Sequence, residues 1–158
     1  VKRAARLSDA WLINPHAMSQ TVIDQMELFL QERNAANLPI PHEIPAFREI
    51  FCAKDRSEAI KIAGPFISEK YAAYSAWGQD KVMPTEENFA QPFDDLLVDR
   101  FVLGSPEECF EQLRPLWEEC GVNHFIFRTH WAGMPLDASL RSMQLILKNS
   151  LNQNHDNC

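Results

Sequence analysis

Three short apolar runs, each followed by a loop and most of them separated by helix-like stretches, constrain this chain more than any other feature. Ala10-Trp11-Leu12-Ile13 ends at Asn14-Pro15, Phe47 to Ala53 runs into Lys54-Asp55-Arg56-Ser57, and Asn123-His124-Phe125-Ile126-Phe127-Arg128 opens into a further loop. Near-continuous apolar runs of this kind suit strands covered on both faces. Between them Val22, Ile23, Met26, Phe29 and Leu30 recur at helical spacing, so residues 20–34 read as an amphipathic helix. Ala59, Ile60, Ile62, Ala63, Phe66, Ile67, Tyr71 and Tyr74 mark a second helix, which Gly64-Pro65 should break or kink. Leu140, Met143, Leu147 and Leu151 mark a closing one. Strands alternating with helices of this length are joined by right-handed crossovers and lie parallel, so the fold class is α/β.

The sharpest local signal is Gly104-Ser105-Pro106-Glu107-Glu108. Ser105 fits the N-cap, Pro106 the first helical position, and Glu108 completes a capping box; the helix continues through Phe110, Leu113 and Trp117 to a stop at Gly121. Arg100 to Leu103 reads as a short extended lead-in to it. Residues 75–98 hold no sustained period and contain Gly78, Pro84 and Pro92, and are read as an irregular insertion. The opening residues, Val1 to about Ser8, form a helical pattern with no capping residue ahead of it and no initiator Met, as if entered in mid-fold.

Composition narrows the function classes. Fifteen Lys and Arg stand against 22 Asp and Glu, a net charge of −7, which disfavours nucleic acid as a partner. No apolar run approaches the roughly 18 residues of a membrane span, no signal-like segment opens the chain, and a cytoplasmic location is expected. Cys52, Cys109, Cys120 and Cys158 are dispersed and expected to be reduced thiols. No metal-ligand spacing, Walker loop or Gly-x-Gly-x-x-Gly is present, so no metal is expected.

In parallel α/β architectures ligands meet the carboxyl ends of the strands. That rule selects Asn14, Pro15 and His16 after the first run, Cys52, Lys54 and Asp55 after the second, and Arg128, Thr129, His130, Trp131, Ala132, Gly133 and Met134 after the third. A cation, an imidazole and an indole within four residues could bind an anion or stack on a planar ring. Each has a plainer reading: His16 as a loop residue, Arg128 as the partner of a neighbouring carboxylate, Trp131 as a core cap, Cys52 as a small buried hydrophobe and His124 as core-edge packing. Lys2, Arg3 and Arg6 suit a solvated helix face, or could flank a phosphate held at that helix terminus.

Three segments resemble the luciferase-like, flavin-dependent monooxygenases. Arg3-Ala4-Ala5-Arg6-Leu7-Ser8-Asp9-Ala10-Trp11 is similar to the family's Arg-Ala-Ala-Arg-Leu-x-Asp-Gly-Trp segment, with Ala10 in place of the usual Gly. Asp99 to Glu108, continued to Gly121-Val122-Asn123-His124, resembles its Gly-Ser-Pro-Glu-Glu helix and following strand. Arg128-Thr129-His130-Trp131-Ala132-Gly133-Met134-Pro135 resembles the Arg-x-x-Trp-x-Gly-Met loop of one branch.

The resemblance implies a (β/α)₈ TIM barrel of which residues 1–158 form the C-terminal part, with about the last three barrel strands and the insertion near 75–98 as a lid. At roughly 31 residues per unit, the chain less its insertion holds about four units. It also implies reduced FMN as cofactor, dioxygen and a small organic substrate as reactants, a flavin reductase as possible partner, and possible homo-oligomers. Arg128 and His130 would be the catalytic candidates, Lys2 and Arg3 would lie beside the flavin phosphate, and Asn14, His16, Trp131 and Met134 would line the substrate pocket. Two other readings stand beside this: a deazaflavin-dependent hydride-transfer oxidoreductase of the same fold, and a non-catalytic α/β module that binds a partner through exposed apolar surface.

Overall fold

The computed structural model describes residues 1–83 and 87–153. Pro84 and Cys158 therefore lie outside the described residues, as does the side chain of Leu151. At the centre is a parallel sheet of three strands: β1 (Pro45–Cys52), β2 (Val102–Gly104) and β3 (His124–Arg128), in the order β2-β1-β3. The helices are α1 (Lys2–Leu7), α2 (Ser19–Ala35), α3 (Arg56–Ala76), a short α4 (Phe93–Leu96), α5 (Pro106–Glu118) and α6 (Leu136–Gln153).

Alternation along β1 divides the interior. Ala46, Ile50 and Cys52 pack into one core with Ala5, Val22, Met26, Phe29, Leu113 and Leu116 from α1, α2 and α5. Phe51 points the other way, into a second core with Ala59, Ala63, Ile67 and Tyr71 of α3 and with Trp131. Both faces of the central strand are covered, as its apolar content requires. Cys52, Cys109 and Cys120 are buried free thiols.

Several expectations are corrected. The first apolar run makes only a single parallel bridge, Ile13 with Ala46. Leu12 is half exposed and Trp11 instead stacks on Phe29 at 5.5 Å. The chain turns away at Asn14-Pro15, which leaves the upper edge of β1 unpaired, and β2 fills it: Ile50, Phe51 and Cys52 pair with Val102, Leu103 and Gly104. The supposed lead-in is thus a sheet strand. α3 runs unbroken through Gly64-Pro65; Gly64 is buried, and the Phe93 ring comes within 3.1 Å of where a Cβ would stand, so the glycine serves close packing. His124 is on the surface, its Nδ1 2.6 Å from Glu43, rather than at the core edge.

The stripe expected to bury α6 is exposed at Leu140, Met143 and Leu147. Its inward face carries Ala138, Ser139 and Ser142, whose small side chains allow close approach to the sheet; the Ser142 hydroxyl accepts from the Cys52 amide at 2.7 Å.

Local signals elsewhere hold. The capping box forms at α5, with Glu108 N–H donating to Ser105 Oγ at 3.2 Å and Ser105 N–H to Glu108 Oε2 at 2.7 Å. Gly121 has a positive φ of 68° just past the helix end. Residues 75–98 hold a 3₁₀ turn at Gln79–Val82 and α4, and they send Glu87 and Phe89 into the interior. α2 has no capping side chain of its own; Glu87 Oε2 accepts from Met18 N–H at 2.9 Å and Asp99 Oδ2 from Ser19 N–H at 3.0 Å. Two carboxylates distant in sequence thereby satisfy the start of that helix, where its dipole favours them.

Candidate functional site

The parallel register of β1 and β3 sets Glu49 beside Arg128. Glu49 is fully buried in a strand that is otherwise mostly apolar, so it needs partners. It has three. Arg128 Nη1 donates to Oε1 at 3.2 Å, the Lys70 ammonium of α3 makes a close ion pair with the same oxygen, and the Trp131 indole N–H donates to Oε2 at 2.9 Å. Two cations against one carboxylate leave a local excess of positive charge. Burial lowers the Lys70 pKa, although Glu49 acts in the opposite direction.

His16 reaches this group from the loop after Ile13. Asn14 Oδ1 accepts from the His16 amide at 2.9 Å, a local turn that presents the ring. His16 Nδ1 lies 3.0 Å from the Tyr71 hydroxyl, and the ring meets Tyr71, Tyr74 and Phe89 edge to face. Burial foremost, then the Lys70 charge, lowers the His16 pKa to about 4, so its imidazole is neutral near pH 7. Lys70 Nζ also stands 5.0 Å over the Tyr71 ring and 4.9 Å over the Tyr74 ring.

Beside these groups opens a cleft of about 340 Å³, walled by Phe66, Tyr74, Trp77 and Trp131 with Lys70, Arg128 and His130 among its polar lining. Trp77 is 70% exposed, a large aromatic surface left at the mouth. A mostly aromatic wall with a few convergent charges suits a planar organic molecule of low or negative charge.

The strand-end candidates divide accordingly. Arg128 and Trp131 come together on Glu49, and His16 is joined to them through Tyr71, over whose ring Lys70 stands. Asn14 shapes the turn, and Met134 is buried in the second core. His130 lines the cleft but is exposed, its Nε2 3.0 Å from the Met134 carbonyl across its own loop. Lys2 pairs with Glu32 at 3.1 Å and Arg6 with the same carboxylate at 2.5 Å, and Arg3 is exposed on the same helix. Sequence reasoning missed Glu49, Lys70 and Tyr71. The available signal was Arg48-Glu49, adjacent charges inside an apolar run, each needing a partner on its own face. Among the described residues no His, Cys, Asp and Glu cluster could hold a metal ion, and no helix is long and apolar enough to cross a membrane.

The fold is one shared with monooxygenases. The structure superposes on monooxygenase RslO1 from Streptomyces bottropensis with a TM-score of 0.72 and 20% identity, over 97% of this chain and 44% of that one. Long-chain alkane monooxygenase LadA gives a TM-score of 0.64 at 12% identity, over 97% and 38%. The oxygenating constituent of 3,6-diketocamphane monooxygenase from Pseudomonas putida, in complex with FMN, gives 0.57 at 15%, over 92% and 44%. The chain thus spans less than half the length of each. No family profile and no curated protein matches the sequence. The resemblance read from the motifs is met by a likeness of fold: over nearly its whole length the chain folds like part of these monooxygenases.

Proposed function

We propose that this chain is the C-terminal part of a luciferase-like barrel and contributes one wall of a flavin-dependent monooxygenase site. The observation that carries the reading is the aromatic cleft between α3 and the loop after β3, beside buried Glu49 and its two cations, in a fold shared with monooxygenases. The donor set fits the ring of a flavin: aromatic faces from Trp77, Trp131 and Tyr74 would pack on it, with Lys70 and Arg128 at its electron-rich edge. The phosphate fits less well: of Lys2 and Arg3, Lys2 is paired with Glu32, and Arg3 is exposed on the helix surface. Reduced FMN, when bound, supplies the activation of dioxygen.

The chain's own residues hold and position. Glu49 fixes Arg128 and the Trp131 indole in place, and neutral His16 positions the Tyr71 hydroxyl. Phe89, from the segment that carries α4, packs edge to face on Tyr71, and a cleft of about 440 Å³ remains between that segment and α3. The substrate would be a small organic molecule, with a reductase supplying reduced flavin.

The test is anaerobic titration of the full-length protein with reduced FMN and with a reduced deazaflavin, followed by admission of oxygen. FMN binding that weakens about tenfold in Trp77→Ala, with unfolding within about 0.5 kcal/mol of wild type, is expected for a solvent-exposed contact residue. Binding of the deazaflavin alone would assign the site to hydride transfer, and binding of neither would overturn the flavin reading.

A further inference from the structure

A second cleft, of about 370 Å³, opens on the other face of β1 between that strand, the start of β2 and the first turn of α2. Its wall includes Arg48, Arg56 and Arg100 against one carboxylate, Asp99. Consecutive strand residues point to opposite faces, so Arg48 looks away from the Glu49 cluster.

The three guanidiniums are held almost wholly by neutral acceptors. Arg48 Nη1 donates to the Ala17 carbonyl at 2.9 Å. Arg100 donates to the carbonyls of His16 at 2.9 Å and Glu87 at 3.2 Å. Arg56 donates to the carbonyls of Leu103 and Leu97 and to Gln112 Oε1. Among the described residues none of the three forms an ion pair; Asp99 and Glu87 instead direct carboxylate oxygens to the first amides of α2.

Arg48 is 1% exposed and Arg100 2% exposed, and each keeps a buried donor with no partner: Nη2 of Arg48 and Nε of Arg100. A guanidinium cannot shed its proton to relieve this, so buried charge and buried donors both await an acceptor. A single water, occupying about 30 Å³, would fill little of the space and bring no charge to the guanidiniums.

We infer that this cleft binds a small oxyanion, a phosphate or carboxylate group, through Arg48, Arg56 and Arg100. Arginine's planar fork suits paired oxygens of either kind. The site is separate from the aromatic cleft and does not depend on the flavin reading. Arg100 ties this cleft to the loop that presents His16, whose carbonyl it holds.

The experiment is calorimetric titration of the protein with inorganic phosphate, with succinate and with sodium chloride, at constant pH and ionic strength. Saturable binding of phosphate or succinate but not chloride is expected, and the better ligand identifies the source of the oxyanion. Gln112→Glu places a carboxylate beside Arg56 and should weaken binding about tenfold, as should Arg56→Gln, the effect of losing one charge-assisted hydrogen bond. Circular dichroism confirms that both variants fold, and Gln112→Glu, which removes no cation, serves if Arg56→Gln does not. Absence of saturable binding by either oxyanion would overturn the inference, as would equal affinity in wild type and Gln112→Glu.

Discussion

Replacing Glu49 with Gln tests the buried cluster directly. Three donors, from Lys70, Arg128 and Trp131, converge on two carboxylate oxygens. Glutamine offers one oxygen and adds an NH₂ group, so either the indole N–H or the two cations must face a donor. An unsatisfied buried indole N–H costs about 1–3 kcal/mol. Removing the partner of a fully buried charge costs about 3–5 kcal/mol. Here the cations are not fully buried: the Lys70 side chain is 13% exposed and that of Arg128 33%, so both regain some water. The low end applies, and the expected loss is about 3 kcal/mol, or a fall in Tm of about 6–12 °C for a chain of this size. Urea denaturation should show a lower midpoint with unchanged m. Adding Lys70→Met removes one stranded cation, so the double variant should recover about 1–2 kcal/mol relative to additivity. A loss below about 1 kcal/mol, or strictly additive variants, would refute the account of Glu49 as the common acceptor.

Two further outcomes follow from local geometry. His16 titrates near pH 4 in the folded chain and near 6.5 when unfolded, so the unfolded state binds more protons between those values. Stability is fully present above about pH 6.5 and falls as pH drops toward 4; after allowance for its partial exposure the loss is about 1–2 kcal/mol, and His16→Phe should flatten that part of a urea-midpoint profile against pH. Ser105→Ala removes the acceptor for Glu108 N–H and should cost about 1 kcal/mol in thermal unfolding, with Ser105→Asp restoring most of it.

How far the chain could be read from its residues differs from element to element. Ser105, Pro106 and Glu108 announce α5 because capping is decided within four residues, and the parallel sheet follows from apolar runs spaced by helices. Ala10 to Ile13 misled because an apolar run states burial but not pairing, and Pro15 diverts it before a second bridge can form. α6 misled in the opposite sense: helical periodicity finds the largest apolar residues, whereas the sheet receives its smallest, Ala138 and Ser142. In the site, His16, Arg128 and Trp131 were accessible through the strand-end rule. Lys70 was not, since a lysine on an amphipathic helix reads as solvated until the tertiary fold sets a carboxylate beneath it. Arg48 and Glu49 were visible as charges, but their partners lie on separate elements and opposite faces.

The chain leaves β1 and returns to the same edge: Ala53 N–H donates to the Gly104 carbonyl at 2.9 Å, and Arg56 holds the Leu103 carbonyl. Everything from Lys54 to Leu103 is therefore an excursion whose two ends are tied together, and loops closed in this way tolerate changes of length at small entropic cost. An exchanged segment would have to bring one cation for Glu49 and two carboxylates for the start of α2. It would also have to supply the α3 core residues, Tyr71 for His16 and the β2 residues that pair with β1, so divergence is confined to its exposed positions, among them Trp77 at the mouth of the aromatic cleft.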